Sequence, residues 1–263
     1  MAPNRHAPTM HQIIKLSVNL NKIALLRNQR EVGYPSVLAA ARTALDAGAQ
    51  GITVHPRPDE RHIRRDDVPE LAALIAGDYG GAPEFNIEGY PSGDYMDLVT
   101  EVKPTQATLV PDAPEAVTSD HGWDIAASET MLREAIARIQ GQGTRVSLFV
   151  DADPNSVHLA KAVGADRVEL YTGPYAEAAE TPNASTVLER YRQAGSTVQE
   201  VGLGLNAGHD LTRENLPALC AVLPNLAEVS IGHALTTDAL WMGLEATVRA
   251  YLAILAEART AAA

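Results

Sequence analysis

The sequence predicts a single α/β domain closed into a (β/α)8, or TIM, barrel, with its functional groups at the carboxyl ends of the strands. Three observations lead there. Short β-branched runs alternate with amphipathic stretches from residue 13 onward, eight such units can be read, and 263 residues suit the roughly 250 that eight units need. Apolar residues at 46% and charged residues at 21% are ordinary for a packed chain, which excludes disorder and fibre.

Strands are read at 13–19 (IIKLSVN), 51–55 (GITVH), 84–88 (EFNIE), 106–110 (QATLV), 146–151 (VSLFVD), 167–171 (RVELY), 202–206 (GLGLN) and 227–232 (AEVSIG). Helices are read near 35–47, 66–77, 93–102, 128–140, 154–163, 183–194, 213–222 and 237–258. Near-continuous apolar strands joined by helices imply parallel strands under a helical cover, because right-handed crossovers connect parallel neighbours most economically. An open doubly wound sheet is the alternative, but no Gly-x-Gly-x-x-Gly turn follows the first strand. Helix-start chemistry is expected at Ser92, at Ser128 with Glu129, at Asp153-Pro154, and at Thr236 with Asp238. The stretch 173–183 exceeds a minimal strand-to-helix loop and reads either as a lid or as an ordinary excursion. The barrel is expected over 13–258, between flexible tails at 1–12 and 259–263.

Composition bounds the function. No apolar stretch approaches 18 residues and residues 1–12 lack the apolar core of a signal peptide, so a cytoplasmic location without a membrane partner is expected. The only cysteine, Cys220, has no internal partner and reads as packing. A net charge of −12 argues against nucleic acid as a partner. The charge is uneven: residues 1–65 carry 10 Lys and Arg against 4 Asp and Glu, a balance of +6 that leaves −18 for the rest. A basic quarter in an acidic chain suits a small anionic substrate.

The polar residues that end barrel strands face one mouth and can be read together. They are Asn19 with Asn21 and Lys22 beyond it, His55 with Arg57 and His62, Glu88, Asp151 and Asp153, Glu169, then Asn206 to His209, then Gly232 and His233. Half of the eight histidines fall in this set. Imidazole titrates near neutrality, and a carboxyl joins it in proton transfer when burial raises its pKa. Glu88, after Phe85-Asn86-Ile87, stands at the top of a dry strand and fits that role, although pairing with Arg57 or Arg30 is the alternative. The Gly-His pairs at 208–209 and 232–233 sit in the loops where such barrels commonly bind phosphate through backbone N–H groups. Among the arginines of the first two loops, Arg30 and Arg57 are the chosen phosphate ligands.

The segments VNLNKIALLRNQR (18–30), TVHPR (53–57), RHI (61–63), FNIE (85–88), LVP (109–111), VTS (117–119), VSLFVDAD (146–153), VELYTG (168–173), LNAGH (205–209) and IGHA (231–234) resemble, in order along almost the whole chain, the pyridoxine 5'-phosphate synthase family. The resemblance implies a barrel that condenses 3-amino-2-oxopropyl phosphate with 1-deoxy-D-xylulose 5-phosphate, releasing phosphate and water, without a cofactor or metal. It implies His55 and Glu88 as bases, His209 as proton donor and Glu169 as charge-stabilising carboxylate. Contacts to the aminoketone phosphate then fall on Asn19, Arg30, the backbone at Asp210, Gly232 and His233. Those to the deoxyxylulose phosphate fall on Arg57, His62 and Thr118. A homo-octamer is implied, and apolar helix faces around 236–258 are where copies of the chain would meet.

One position departs from that pattern. Many family members carry Asp-His after the first strand, where this chain has Asn21-Lys22. Three other readings therefore stand beside the synthase: a Schiff-base aldolase with Lys22 as nucleophile, a metal-dependent lyase using His55, His209, His233 and Glu88, and a non-catalytic barrel that binds phosphorylated metabolites.

Overall fold

The computed structural model describes residues 13–30, 32–112 and 119–261, and its eight strands form a closed, all-parallel barrel in chain order. The strands are β1 Lys15–Asn19, β2 Gly51–Val54, β3 Glu84–Gly89, β4 Gln106–Leu109, β5 Arg145–Val150, β6 Arg167–Tyr171, β7 Gly204–Gly208 and β8 Leu226–Ile231. The helices are α1 Asn21–Asn28, α2 Val37–Asp46, α3 Asp67–Asp78, α4 Gly93–Val102, α5 Glu129–Gln140, α6 Pro154–Ala162, α7 Gly173–Ala178, α8 Ala184–Val201, α9 Leu216–Val222, α10 His233–Met242 and α11 Leu244–Ala261. The expected residues 1–12 and 262–263 of the tails lie outside the described residues.

Every strand alternates. Leu16, Val18, Ile52, Val54, Ile87, Leu109, Leu148, Leu170, Leu205 and Val229 face the helices and join the apolar core between sheet and cover. Ser17, Thr53, Asn86 and Thr108 are linked in one chain inside the barrel, as are Asn206 with Glu228 and Lys15 with Glu84, so the interior is polar where such barrels usually hold branched aliphatics. The near-continuous apolar strands expected from sequence are thus corrected to apolar-out, polar-in strands.

Hydrogen bonds make that interior tenable, since a buried polar group costs stability unless it is paired. In the middle layer Ser17 Oγ and Thr53 Oγ1 are 2.6 Å apart, and Thr108 Oγ1 donates to Asn86 Oδ1 at 2.8 Å. At the amino-terminal floor Glu84 accepts from Lys15 and Arg145, while Arg167 donates to Asn206 Oδ1 at 2.9 Å and Asn206 Nδ2 donates to Glu228 Oε1. Asn206 therefore belongs to the interior and not to the mouth, because α8 runs on to Val201 and β7 begins two residues later than expected.

Other expectations are refined. Ser92 and Asp153 cap α4 and α6 through their side chains, whereas Ser128 makes no side-chain cap bond. Thr236 lies inside α10, its N–H bonded to the Gly232 carbonyl, because the last helix is two helices broken at Gly243. The stretch 173–183 starts with α7, and buried Tyr175 ties it down by donating to the Asn215 carbonyl at 2.6 Å. Cys220 is buried in α9, as packing required.

The floor gives a stability test. Glu84→Ala leaves the half-buried Lys15 and Arg145 without their carboxylate and is expected to cost about 2–3 kcal/mol in urea unfolding, below a fully buried pair because both cations keep some water. Asp78→Ala, which opens the exposed Arg42–Asp78 pair, is expected to leave the urea midpoint close to that of the wild type, because solvent screens an exposed pair.

Candidate active site

The carboxyl ends of β1, β2 and β3 assemble the first half of the site. Asn19, closing β1, accepts the Asn21 N–H on Oδ1 at 3.0 Å and donates from Nδ2 to Glu88 Oε2 at 3.4 Å. Asn21 Oδ1 in turn accepts the His55 N–H at 2.9 Å, so the first residue of α1 pins the end of β2. His55 Nδ1 then lies 3.8 Å from Glu88 Oε2, and both side chains are almost wholly enclosed.

Enclosure sets their protonation. Desolvation raises Glu88 to about 8, Asp112 adds to the rise, and Arg57 and the Asn19 hydrogen bond only partly oppose it. His55 is lowered well below its ordinary range by desolvation first, then by the charges of Arg57, His62 and His209. At neutral pH the pair is a protonated carboxyl beside a neutral imidazole, an arrangement that offers a proton and an acceptor side by side.

The loop after β2 supplies charge. Arg57 is buried in an ion pair with Asp112, and Ser119 Oγ donates to the same carboxylate at 2.6 Å. His62 lies with its ring centroid 6.1 Å from that of His55, and its Nδ1 accepts the Ile63 N–H. Desolvation, then Arg57 and Lys22, lower it to about 4. Arg27, near the end of α1, is a brace: it pairs with Asp67 and, with Asn28, donates to the His62 carbonyl. A cavity of about 370 Å³ opens beside this loop, lined by His55, Arg57, Tyr90, Asp94 and Asp112 among others.

The second half comes from β6 and β7. Glu169 is buried on β6, and its Oε1 fills the space over Gly208, where an added Cβ would meet it at 2.2 Å. Its Oε2 has no hydrogen-bond partner among the described residues. Desolvation, helped by Glu88 and Glu228, raises its pKa well above the carboxylate range. His209 follows Gly208 with φ +82°, its ring 5.4 Å from Phe149 and 5.6 Å from Tyr171, and desolvation lowers its pKa.

The structure thus brings together Asn19, His55, Arg57, His62, Glu88, Glu169 and His209. Gly232 joins them through Asn19, whose Cβ an added Cβ on Gly232 would meet at 3.1 Å. His233 is exposed as the first residue of α10, Asp210 is exposed with φ +53°, and Arg30 is exposed just beyond α1. Thr118 lies outside the described residues. Asp151 and Asp153 leave the list, because Asp151 accepts from the Gly122 N–H and Asp153 caps α6. Among the described residues no three His, Cys, Asp or Glu side chains converge as a metal site.

Sequence reasoning missed Asp112, Phe149 and Tyr171. Asp112 lies two residues past the strand-4 segment, and an acid there beside a basic second loop was the available signal. The two aromatics had none, since they read as ordinary strand residues.

The raised carboxyl gives a pH prediction. Folded Glu88 keeps its proton up to about pH 8, whereas the unfolded chain releases it near 4.5, so this contribution to stability is complete below about 4.5 and is lost as pH rises through 8. Glu88→Gln, neutral at every pH, is expected to melt close to the wild type near pH 5 and above it near pH 9. A difference in melting temperature that stays constant with pH would contradict the assignment.

The chain is 55% identical over 242 residues to the pyridoxine 5'-phosphate synthase of Chelativorans sp. (strain BNC1), covering 91% of this chain and 97% of that protein. It is 54% identical over 243 residues to the one from Brucella abortus (strain S19), covering 92% and 98%. Among solved structures, the native KDPGal structure aligns with a TM-score of 0.59 at 14% identity over 99% of this chain and all of that one. The phosphoribosyl anthranilate isomerase of Thermotoga maritima gives 0.58 at 11% over 93% and 100%. At such identities the two structures share the barrel fold alone. The family model described as pyridoxal phosphate biosynthesis protein PdxJ matches residues 16–257, and the chain belongs to that family.

Proposed function

We propose that this chain is a pyridoxine 5'-phosphate synthase, which closes a pyridine ring from 3-amino-2-oxopropyl phosphate and 1-deoxy-D-xylulose 5-phosphate with loss of phosphate and water. The observation that carries the reading is the Glu88–His55 contact, a buried acid and an uncharged imidazole in one enclosed mouth. Imine formation, enolisation, phosphate loss, ring closure and dehydration each move protons between carbon, nitrogen and oxygen. The substrates supply both the amine and the carbonyl, so no enzyme lysine is needed as nucleophile.

His55 and Glu88 act as the bases, Glu88 in each turn of the reaction after giving up its resting proton. His209 is the proton donor: it recharges from solvent at the mouth and delivers to the leaving oxygen. Glu169, whose pKa burial pushes well above the ordinary carboxylate range, stabilises charge that develops in the mouth. Asn19, Arg30, Gly232, His233 and the backbone at Asp210 hold the aminoketone phosphate, in part at the amino end of α10. Arg57, His62 and Thr118 hold the ketose phosphate. Arg57 enters this role already aligned by Asp112.

Among the described residues no helix is long and apolar enough to cross a membrane, and the proposed location is the cytoplasm. The proposed assembly is a homo-oligomer, an octamer by family. Leu240, Trp241 and Met242, exposed in succession at the end of α10, support a contact between copies there.

Purified protein with the two substrates alone is expected to yield pyridoxine 5'-phosphate, and folded protein that binds both phosphates without product would leave the non-catalytic barrel. His209→Ala is expected to lose about 10²-fold or more in turnover. Near-normal turnover would remove His209 from the mechanism.

A further inference from the structure

The loop that carries His209 is held in a conformation that its own residues do not favour. His209 and Asp210 both have positive φ, +82° and +53°, a region uncommon for residues with a Cβ even though Asp and His enter it more readily than most, and two in succession need support from their surroundings. The element that holds them comes from the neighbouring strand. Thr172, fully buried just past the end of β6, donates its N–H to the Gly208 carbonyl at 3.0 Å. Its hydroxyl lies 2.6 Å from the same oxygen and in contact with the His209 carbonyl oxygen, so one proton is within reach of both.

A second restraint acts from the other side. Asn215, buried before α9, donates from Nδ2 to the Asp210 carbonyl at 3.0 Å and accepts the Thr212 N–H on Oδ1 at 2.8 Å. The carbonyls of Gly208, His209 and Asp210 are all drawn back into the protein. The His209 ring is set against Phe149 from β5 and Tyr171 from β6, whose own centroids are 5.5 Å apart. Tyr171 and Thr172 are consecutive, so one short piece of chain fixes both the ring and the backbone of His209.

We infer that Thr172 is a positioning residue for the proton donor: its hydroxyl holds the carbonyls of Gly208 and His209 so that the His209 imidazole stands in the aromatic corner and faces the mouth. The inference rests on the reading of His209 as the donor. It assigns to Thr172 no contact with substrate. A buried threonine that merely filled space would be replaced without loss by valine, which has the same shape and no hydroxyl.

Thr172→Val, Thr172→Ser and Thr172→Ala are therefore to be compared in steady-state kinetics with both substrates, with Thr144→Val as control. Thr144 is equally buried, and its hydroxyl donates to the Pro104 carbonyl ahead of β5, at the opposite end of the barrel. The valine variant is expected to lose about 10- to 100-fold in kcat with KM for each substrate little changed, as suits a misaligned group and not a lost binding contact. The serine variant is expected to recover most of that loss. Thr144→Val is expected to lower melting temperature without changing kcat, and Thr172→Ala gives the same reading if the valine variant folds poorly. Wild-type kcat in folded Thr172→Val, or loss of activity in Thr172→Ser equal to that in Thr172→Val, overturns the inference while leaving the function intact. Near-normal turnover in His209→Ala instead marks a failure of the donor assignment itself.

Discussion

Desolvation of carboxyl groups inside a closed sheet is the constraint on which the rest of the structure depends. Glu88, Glu169 and Glu228 all point into the barrel, and all three are pushed upward by burial before any neighbour acts on them. Ionising all of them together would place like charges in a space with little water, so the folded chain keeps protons there at neutral pH. The same enclosure lowers His55 and His209, which have no need of a proton to remain buried. An acid and a base of matched readiness arise from one physical cause.

The two ends of the barrel use polar groups differently. At the floor, Glu84 meets Lys15 and Arg145, while Arg167, Asn206 and Glu228 are linked by hydrogen bonds, so most polar atoms have partners and the contribution is to stability. At the mouth the partners are fewer: Glu169 Oε2 has none among the described residues, and Glu88 has one long bond from Asn19. An unpaired buried oxygen is costly to folding and useful to chemistry, since it is available when a substrate brings a complementary group. Arg57 shows the intermediate case, a cation matched by Asp112 and so kept in place in a site that must also accept phosphate.

Much of the architecture was legible because each strand is bracketed by helix-forming stretches and each strand end is polar. Glu88 could be read as a raised acid because three residues of a dry strand precede it. His55 and His209 followed from placement at strand ends, and Glu169 was read from within strand 6. What escaped has physical reasons. The interior polarity of the barrel was hidden because residues such as Ser17, Thr53 and Thr108 are good strand formers on either face. Helix α1 begins at Asn21, with Leu20 as an N-cap that makes no side-chain bond and with no acid in the first turn, so nothing local announced it, and with it went the role of Arg27 as a brace. The β7 register slipped because Gly202-Leu203-Gly204 resembles a strand entry, whereas Gly202 is the left-handed end of α8. Contacts made across the mouth, Asp112 on Arg57 above all, depend on which loops meet and leave no mark in either loop alone.

The account predicts that carboxyl protons persist in the folded enzyme well above the usual range, and infrared spectroscopy reads this directly. The carbonyl stretch of protonated carboxyl groups should remain in the wild-type spectrum at pH 7 and decline as pH passes about 8, with part of that band missing in Glu88→Gln. A spectrum in which every carboxyl is ionised by pH 6, or a band unchanged by the substitution, would contradict it.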